Sequence, residues 1–419
     1  MNDSNLLDRA RALDLADPLR EFRAEFEMHD DHTLYLDGNS LGRMPKAARD
    51  ALFNAIDAEW AGGLVESWEK WITLTRSSGD AVGAQLLGAP AGTTLIADST
   101  SVNLFKLASA ALDSGIDRKV VVTDRHDFPT DRYLMERLAS ARGGTVRWVE
   151  SDPIEGLDID QLHSVLDDEV ALVCLSHVNY RSGAIADMTA VAAAAHEVDA
   201  FVLFDVSHSV GSVPIDVVAS NADLVTGCTY KYLNSGPGAP AFLYVRQDLI
   251  EAFDAPLPGW FAQKDQFDMG PSFAPAPGID RFQVGTPPIL SATPIPVSAE
   301  MFERAGMDQV RNKSLALTDL LIELFDERLT DLGFRLGSPR DPSIRGGHIT
   351  VAHDEALAIS VALRQYENVV GDFRMPDGIR LAPVALYTRF EDIAEAVIRL
   401  ERIMKSGVHL TVDANQRVT

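Results

Sequence analysis

The middle of the chain, from residue 93 to residue 227, alternates short apolar runs with amphipathic segments. The apolar runs are rich in Val, Leu and Ile, as buried strands are, and they lie at 93–97, 119–123, 145–149, 170–175, 200–205 and 224–227. Between them, apolar residues recur at helical spacing over 102–112, 131–141, 158–166 and 190–198. This alternation predicts an α/β fold, in which helices cover a mostly parallel sheet and ligands bind at the carboxyl ends of its strands.

The pattern differs on either side of this region. Before it we predict helical structure over residues 1–30, including a helix opened by Asp17 and Pro18, then a short strand near 34–36 and a helix over 45–61. After it come a strand at 241–245, a Pro/Gly-rich stretch over 256–296, a long amphipathic helix over 297–332, a strand at 348–351 and helices over 356–366 and 390–405. We therefore predict a large domain over 46–296, a small α+β domain over 297–419 that begins with the long linking helix, and an N-terminal segment over 1–45 that joins the small domain.

Composition narrows the class of protein. The 62 acidic residues outnumber the 37 Lys and Arg residues, which gives a formal net charge of -25. Such a surface repels nucleic acid and anionic membranes, so we expect neither as a partner. The first residues have no signal-peptide pattern, and no apolar run is long enough to span a membrane. Both cysteines, Cys174 and Cys228, lie in apolar runs, so we expect reduced, buried thiols in a cytoplasmic protein, with no disulfide and no metal site.

A single lysine, Lys231, lies between an apolar strand and a glycine-rich turn that ends at Gly238. Upstream, the run over 200–208 is predicted to bring Asp205 and His208 to the carboxyl end of a strand. A carboxylate at a strand end and a lysine in such a turn are the arrangement that binds pyridoxal 5'-phosphate. The lysine forms the Schiff base and the carboxylate pairs with the pyridinium nitrogen. Taken alone, each residue has a simpler interpretation, as a surface lysine or as a helix cap.

Two further loops follow strands in the same region. Thr100 and Ser101 begin a predicted helix, where free amides and hydroxyls bind phosphate, although simple capping explains them equally well. Phe128 precedes the next helix and is suited to lie on a flat ring, and Asp131 could bond the edge of that ring or only cap the helix. The polar segment over 176–183 follows another strand and suggests the same site.

Eight segments, taken in order, resemble the kynureninase family, which consists of fold-type I pyridoxal-phosphate hydrolases related to the class V aminotransferases. The resemblance covers most of the chain, from about residue 34 to about residue 395, and its segments lie at 36–42, 98–106, 128–131, 176–183, 204–208, 228–234, 285–290 and 371–380. It implies a large domain built on a seven-stranded sheet and a smaller α+β domain. The activity it implies is hydrolysis of L-kynurenine, or of a 3-hydroxy or other ring-substituted form, to L-alanine and the corresponding anthranilate.

The resemblance also implies roles for particular residues. Lys231 would carry the cofactor and act as general base, Asp205 would keep the pyridine nitrogen protonated, and Tyr230 would be the acid. The other cofactor-binding residues it implies are Thr100, Ser101, Phe128, Pro129, Thr130, Asp131 and His208. Trp260 and Thr286 would reach the cofactor of the neighbouring subunit, which implies a homodimer with its active sites at the subunit interface.

For the substrate, the resemblance implies that Arg380 binds the α-carboxylate as a bidentate fork. The remaining substrate-binding residues it implies are Asn39, Ser40, Trp68, Tyr180 and Phe261, and for Trp68 core packing is an equally good interpretation. One departure from the family pattern stands at Ala262 and Gln263, where Gly-His is usual, and it leaves the choice of ring substituents open. Two alternatives remain: another fold-type I enzyme, such as an aminotransferase or a β-lyase, and a non-catalytic pyridoxal-binding protein.

Overall fold

A computed structural model describes residues 2–30, 32–115, 117–254 and 256–413. Its centre is a seven-stranded sheet in which five neighbouring strands pair in parallel and Phe242–Val245 runs against them. In spatial order the strands are Thr94–Ile96, Phe242–Val245, Leu224–Gly227, Phe201–Asp205, Val170–Ser176, Val120–Asp124 and Thr145–Val149. The predicted α/β class with a mostly parallel sheet is confirmed.

Helices cover both faces of this sheet, and their apolar sides form two buried clusters against it. The helices of this region are Lys46–Asn54, Trp68–Val82, Thr100–Leu112, Pro129–Ala141, Ile159–Val165 and Met188–Glu197. Apart from the edge strand Thr145–Val149, which is largely half-buried, the strands are buried along almost their whole length, as expected when helices cover both faces of a sheet. The carboxyl ends of the parallel strands therefore provide the polar edge at which a ligand can bind.

A second core lies around a four-stranded antiparallel sheet. Its strands, in spatial order, are Asp372–Arg374, Gly378–Leu381, Ile349–Ala352 and Arg335–Leu336, and the helices packed with it are Asp3–Ala16, Met307–Arg328, Ala356–Glu367 and Phe390–Ser406. The N-terminal strand Leu34–Tyr35 pairs in parallel with Val369–Val370, and Leu6 and Leu36 are part of this same core. The beginning of the chain thus packs with its end.

Two helix predictions were wrong. The helix expected over 297–332 is divided at Gly306, whose φ of 74° ends one helix, Pro294–Ala305, and precedes the next, Met307–Arg328. Apolar spacing continues through the glycine, so periodicity alone did not reveal the break. The helix expected to open at Asp17 and Pro18 is only the short 3₁₀ segment Arg20–Glu25, because Asp17 lies at the C-terminal end of Asp3–Ala16.

Some helical structure departs from simple periodicity. The helix predicted over 45–61 begins as the α-helix Lys46–Asn54 and continues as a π-helix, Ala55–Gly63. The Pro/Gly-rich stretch contains short helical turns at Trp260–Ala262 and Gly278–Phe282 and a four-residue helix, Ile289–Ala292. Across the four described ranges, every helix is too short or too polar to cross a lipid bilayer.

Candidate active site

A cavity of about 380 Å³ opens at the carboxyl ends of the parallel strands. Ten of the predicted site residues line it: Thr100, Ser101, Phe128, Thr130, Asp131, Tyr180, Asp205, His208, Tyr230 and Lys231. They come from five separate segments, so the fold brings together side chains that lie up to 131 positions apart. The position agrees with the general rule for open α/β sheets, in which ligands bind beyond the strand ends.

Lys231 lies in a turn whose backbone is held from several sides. The amide of Gly42 donates to the carbonyl of Tyr230 at 2.8 Å, and the amide of Asn234 donates to the carbonyl of Lys231 at 2.9 Å. A Cβ at Gly42 would lie 2.3 Å from that carbonyl of Lys231, so only glycine allows this approach. The Lys231 amine lies 3.0 Å from Nε2 of His208. The N-terminal segment therefore fixes the turn that carries the lysine.

Buried carboxyl groups line the side of the cavity formed by the strand ends. Burial raises the pKa of Asp205, whose Oδ1 accepts the Ser207 amide at 2.8 Å. Burial, and then the neighbouring Asp205 carboxylate, raise the pKa of Asp131 well above its usual value, and Asp131 Oδ2 has no hydrogen-bond partner among the described residues. Asp127 lies behind them and accepts the Ser176 amide at 3.2 Å. Such a cluster favours a bound cation or a protonated ring nitrogen next to Asp205.

A helix N-terminus also borders the cavity. Ser99 caps the Thr100–Leu112 helix through its side chain, which accepts the Val102 amide, and this leaves the first turn with Thr100 and Ser101 facing the cavity. Asp98 also lines the cavity, and its charge is paired with the fully buried amine of Lys106 at 2.7 Å. The Lys106 amine also donates to the Phe282 carbonyl at 2.8 Å. Helix-end amides and two hydroxyls form a site for a phosphate group.

Aromatic residues border the mouth of the cavity. Phe128, 41% exposed, meets Tyr180 edge to face with ring centroids 5.3 Å apart. Pro129 is the first residue of the Pro129–Ala141 helix and does not line the cavity, whereas Thr130 and Asp131 in the same turn do. Burial, and then the Cys228 sulfur, raise the pKa of Tyr230, so its hydroxyl stays protonated and can donate a hydrogen bond.

Arg380 lies outside the cavity lining, in the strand Gly378–Leu381 of the four-stranded sheet, and its side chain is buried. Its Nε donates to Asp372 Oδ1 at 2.7 Å, and its Nη2 donates to Asp372 Oδ2 and, at 3.2 Å, to the Ser40 hydroxyl. Its Nη1 donates to the Tyr180 carbonyl at 2.6 Å. These bonds use four of the five N–H groups of an arginine and leave one for a ligand. Arg380 is therefore held beside the loop of Tyr180, which borders the cavity.

The remaining predicted residues also lie outside the cavity lining. Asn39 is fully buried, and neither atom of its side-chain amide has a partner within the described ranges. Trp260, Phe261 and Trp68 form an aromatic row, with centroid separations of 5.1 Å and 6.4 Å along it. Thr286 is exposed, in a segment that reaches the cavity only at Pro288. The structure thus groups ten of the predicted site residues around one cavity. The other eight lie outside its lining: Asn39, Ser40, Trp68, Pro129, Trp260, Phe261, Thr286 and Arg380.

Sequence reasoning missed several residues of the site. Asp372 pairs with Arg380, Asp127 lies behind Asp131, and His348 packs its ring 5.8 Å from that of His208. Asp372 falls inside a segment that carried the family resemblance, and Asp127 directly precedes another, so their positions could have been found there. His348 precedes a strand of the four-stranded sheet, far from the other site segments, and nothing in its local sequence indicates the contact.

The cavity fits pyridoxal 5'-phosphate on three independent observations. It contains the amine of Lys231 and, at the strand ends, the carboxyl group of Asp205. Asp131 lies beside Asp205, and one of its oxygens has no hydrogen-bond partner among the described residues. The first turn of the Thr100–Leu112 helix supplies donors for a phosphate. The volume is within the range of small-ligand cavities. The donor set and the shape therefore agree with the cofactor that the sequence predicts.

The family model and the relatives that match this chain all carry the name kynureninase. The family model described as the kynureninase C-terminal domain matches residues 310–400. Kynureninase from Pseudomonas fluorescens is 40% identical over 401 residues, which is 94% of this chain and 94% of that protein. Kynureninase from Burkholderia pseudomallei strain 1106a is also 40% identical, over 405 residues and 95% of each chain.

Solved structures support the fold. The apo cysteine desulfurase of Thermococcus onnurineus NA1 superposes with a TM-score of 0.80 at 20% identity, covering 92% of this chain and 98% of that one. The cystine C-S lyase C-DES in complex with cysteine persulfide gives a TM-score of 0.78 at 19% identity, covering 88% of this chain and 98% of that one. At these identities the likeness concerns the fold alone, whereas the full-length similarity to two kynureninases concerns the family. With that similarity, and with the predicted cofactor residues gathered in one cavity, the chain belongs to the kynureninase family.

Proposed function

We propose that this protein uses pyridoxal 5'-phosphate to hydrolyse L-kynurenine, or a 3-hydroxy or other ring-substituted form, to L-alanine and the corresponding anthranilate. The observation that carries the proposal is that Lys231 and Asp205 face one cavity in a chain of the kynureninase family. When bound, the cofactor supplies an electron sink for cleavage of the Cβ–Cγ bond. The chain itself must hold the substrate, deliver and remove protons, and admit one water molecule.

Proton transfer is assigned to three cavity residues. Lys231 removes the α-proton as general base once its amine is free, and the contact of that amine with His208 at 3.0 Å supports a fixed position for it. Asp205 keeps the ring nitrogen protonated, which its burial next to Asp131 supports. Tyr230 protonates the reacting oxygen or carbon, because its hydroxyl keeps its proton and lines the same cavity.

Substrate binding is assigned to the small-domain side of the cavity. Arg380 binds the α-carboxylate, and its rigid attachment to Asp372 supports a fixed orientation. The present bonds of Arg380 leave one N–H group free, and two N–H groups are needed to bind both carboxylate oxygens. We therefore expect Arg380 to release the Tyr180 carbonyl or the Ser40 hydroxyl when the substrate binds. Asn39, Ser40 and Trp68 are assigned to the aromatic end of the substrate, and Tyr180 and Phe261 complete the proposed substrate-binding residues.

The protein is further proposed to act as a homodimer in the cytoplasm. Trp260 is 44% exposed and Thr286 is exposed, and neither lines the cavity of its own chain, which supports contact with the cavity of a partner chain. The exposed side chain of Trp60 lines a surface pocket together with Ile289 and Leu290, three and four residues after Thr286. Two buried, unpaired thiols suit a reducing compartment.

The test is incubation of the purified protein and its cofactor with L-kynurenine, 3-hydroxykynurenine and ring-substituted analogues. Anthranilate fluorescence and chromatographic measurement of L-alanine should rise in equal amounts for at least one of them. If none is cleaved while the cofactor is bound to Lys231, as mass spectrometry after borohydride reduction would show, the proposed reaction is refuted and the other fold-type I activities take its place.

The resemblance in fold to cysteine desulfurases does not favour a sulfur-transfer reaction here. Cys174 and Cys228 are the two cysteines of the chain, and both are buried. Burial raises the pKa of each thiol, which removes the thiolate that sulfur transfer requires. Assays for desulfurase and aminotransferase activity on the same preparation are the matching negative controls.

A further inference from the structure

A buried ion pair links the Thr100–Leu112 helix to the loop that precedes it. The side-chain amine of Lys106 lies 2.7 Å from Asp98 Oδ2 and donates to the Phe282 carbonyl at 2.8 Å. The Lys106 side chain is fully buried, whereas the Asp98 side chain is 32% exposed and lines the cavity. A fully buried lysine is rare in a folded protein, and the proton transfers and substrate contacts proposed above give this one no role.

The backbone holds Asp98 at the wall of the cavity. The Asp98 carbonyl accepts the Ala241 amide at 2.9 Å, and the Ala97 amide donates to the Ala241 carbonyl at 2.9 Å, so two bonds join this loop to the segment before the strand Phe242–Val245. Asp98 has a φ of 48°, in the left-handed region that asparagine and aspartate enter more readily than most residues. The position of its carboxylate is therefore set by the fold.

The charges around the cavity make this carboxylate unfavourable for a phosphate group. Three carboxyl groups line the cavity, those of Asp98, Asp131 and Asp205, and the described part of the chain contributes one lysine and no arginine to that lining. The lysine is Lys231, which the proposed function assigns to the attachment of the cofactor. The phosphate is thus left with the amides and hydroxyls of a helix end. An unpaired carboxylate beside them would repel an anion, because water screens charges poorly in a partly buried site.

Lys106 supplies the positive charge that Asp98 requires. Both oxygens that its amine contacts only accept hydrogen bonds, and one belongs to a carboxylate, so these contacts favour the ammonium form. Burial lowers the pKa of Lys106, and the charge of Asp98 opposes that fall. The ammonium lies out of contact with solvent, so salt and water weaken its attraction for Asp98 less than they would at the surface.

We propose that Lys106 is a positioning residue for the cofactor phosphate, because its ammonium neutralises Asp98 and so allows the helix end to accept an anion. Lys106 acts through Asp98 and does not itself line the cavity. The inference rests on the part of the proposed function that places the cofactor phosphate at Thr100 and Ser101, and it does not depend on the reaction.

Three variants separate the charge of Lys106 from its packing. Lys106→Met removes the charge but keeps an unbranched side chain that suits a helix, so Asp98 is left unpaired. The double variant Asp98→Asn with Lys106→Met removes both charges and has the same loss of the Phe282 contact. Asp98→Asn alone leaves the ammonium without its partner, and asparagine tolerates the positive φ at this position.

The measurement is the preference of the cofactor-free, full-length protein for pyridoxal 5'-phosphate over pyridoxal, which lacks the phosphate. Equilibrium dialysis gives Kd for each ligand, and the ratio of the two constants cancels changes that affect both ligands alike. We expect the preference to fall by about tenfold or more in Lys106→Met and to return to within about threefold of the wild type in the double variant. In Asp98→Asn it should equal or exceed that of the wild type, since a negative charge is lost.

A folded Lys106→Met variant with the wild-type preference would overturn the proposal. A double variant whose preference stays as low as that of Lys106→Met would also overturn it, because lost packing would then explain the effect. If Lys106→Met does not fold, Asp98→Asn decides: an equal or raised preference supports the proposal and a lowered one overturns it.

The wild type separates this inference from the proposed function. A wild type that binds both ligands equally well would refute the placement of the cofactor phosphate, and the role of Lys106 with it. The expected preferences in a protein that does not cleave kynurenine would support the role of Lys106 and refute only the proposed reaction.

Discussion

At the scale of single residues, the environment of each cavity side chain decides what it can do. Lys231 is held by backbone contacts to the turn on which it lies, and Gly42 makes these contacts possible by having no side chain. Asp131 and Asp205 are carboxyl groups in the same cavity, but burial and mutual repulsion raise the pKa of Asp131 more than that of Asp205. One fold thus places a potential base, an anion and a neutral acid within a single cavity.

Replacement of Lys231 tests the central residue. Lys231→Ala should lower kcat with kynurenine by about 10³-fold or more, because the general base and the attachment point for the cofactor are lost together. Lys405→Ala, an exposed position on the last helix, is the matched control and should leave kcat unchanged. Activity close to the wild type in Lys231→Ala would contradict its role.

Replacement of Arg380 tests the geometry of carboxylate binding. Arg380→Lys keeps the charge but loses the planar fork, so KM for kynurenine should rise by roughly tenfold or more. Arg374→Lys is the matched control, because Arg374 contacts the same Asp372 from a more exposed position. Equal rises in KM for both variants would indicate that charge, and not the fork, binds the substrate.

The buried acid Asp127 predicts a pH dependence of stability. Burial, and then the neighbouring Asp124, raise the pKa of Asp127 to about 8, above its usual value of 3.8. The folded protein therefore binds this proton more tightly than the unfolded chain, so the free energy of unfolding falls as pH rises from about 4 to about 8. Asp127→Asn should remove the share of this fall in unfolding free energy that comes from Asp127, which is on the order of a few kcal/mol.

Urea unfolding of the cofactor-free protein at several pH values measures this effect. Asp124→Asn should reduce the effect in part, since it removes the second cause of the raised Asp127 pKa and leaves the Asp127 bonds to Ser176 in place. Parallel stability curves for wild type and Asp127→Asn over this pH range would contradict the prediction.

At the scale of secondary structure, the sequence predicts what depends on local periodicity. The strands of the large sheet were found because continuous Val, Leu and Ile runs are typical of strands buried on both faces. The break at Gly306 was missed, since the apolar face continues on both sides of a glycine whose backbone lies in the left-handed region. The contact of His348 with His208 was missed because it joins two sheets that are far apart in sequence.

The helix break gives a prediction at this scale. Gly306→Ala should lower the free energy of unfolding by about 1 kcal/mol, because a Cβ there meets no neighbour and only the backbone conformation is penalised. Gly62→Ala is the control, since its φ is not positive and its Cβ would meet an ordinary 3.6 Å contact. Equal urea midpoints for the two variants would show that the break does not require glycine.

At the scale of the whole molecule, the proposed dimer explains the residues that do not line the cavity of their own chain. In the proposed dimer, Trp260 and Thr286 of each chain reach the cavity of the other chain. The cofactor residues could be predicted because they follow strands of one sheet. The placement of Trp260 could not, since in the proposed dimer it depends on a surface of a second molecule.

Subunit complementation tests this arrangement. Lys231→Ala and Trp260→Ala homodimers should each have low activity, whereas a mixture unfolded and refolded together should regain about one quarter of wild-type activity. Random pairing makes half of the dimers mixed, and each mixed dimer has one intact site of two. Activity no greater than the sum of the separate variants, in a preparation shown by native mass spectrometry to contain mixed dimers, would refute shared sites.

The enclosure of Cys174 and Cys228 has a practical consequence. Neither thiol is exposed, and burial raises the pKa of both, so maleimide reagents should leave the native protein unmodified. Two cysteines engineered on the surface, one beside the seven-stranded sheet and one beside the four-stranded sheet, would then be the positions that take fluorescent dyes. Energy transfer between the dyes would follow the distance between the two sheets during turnover without first removing any native cysteine.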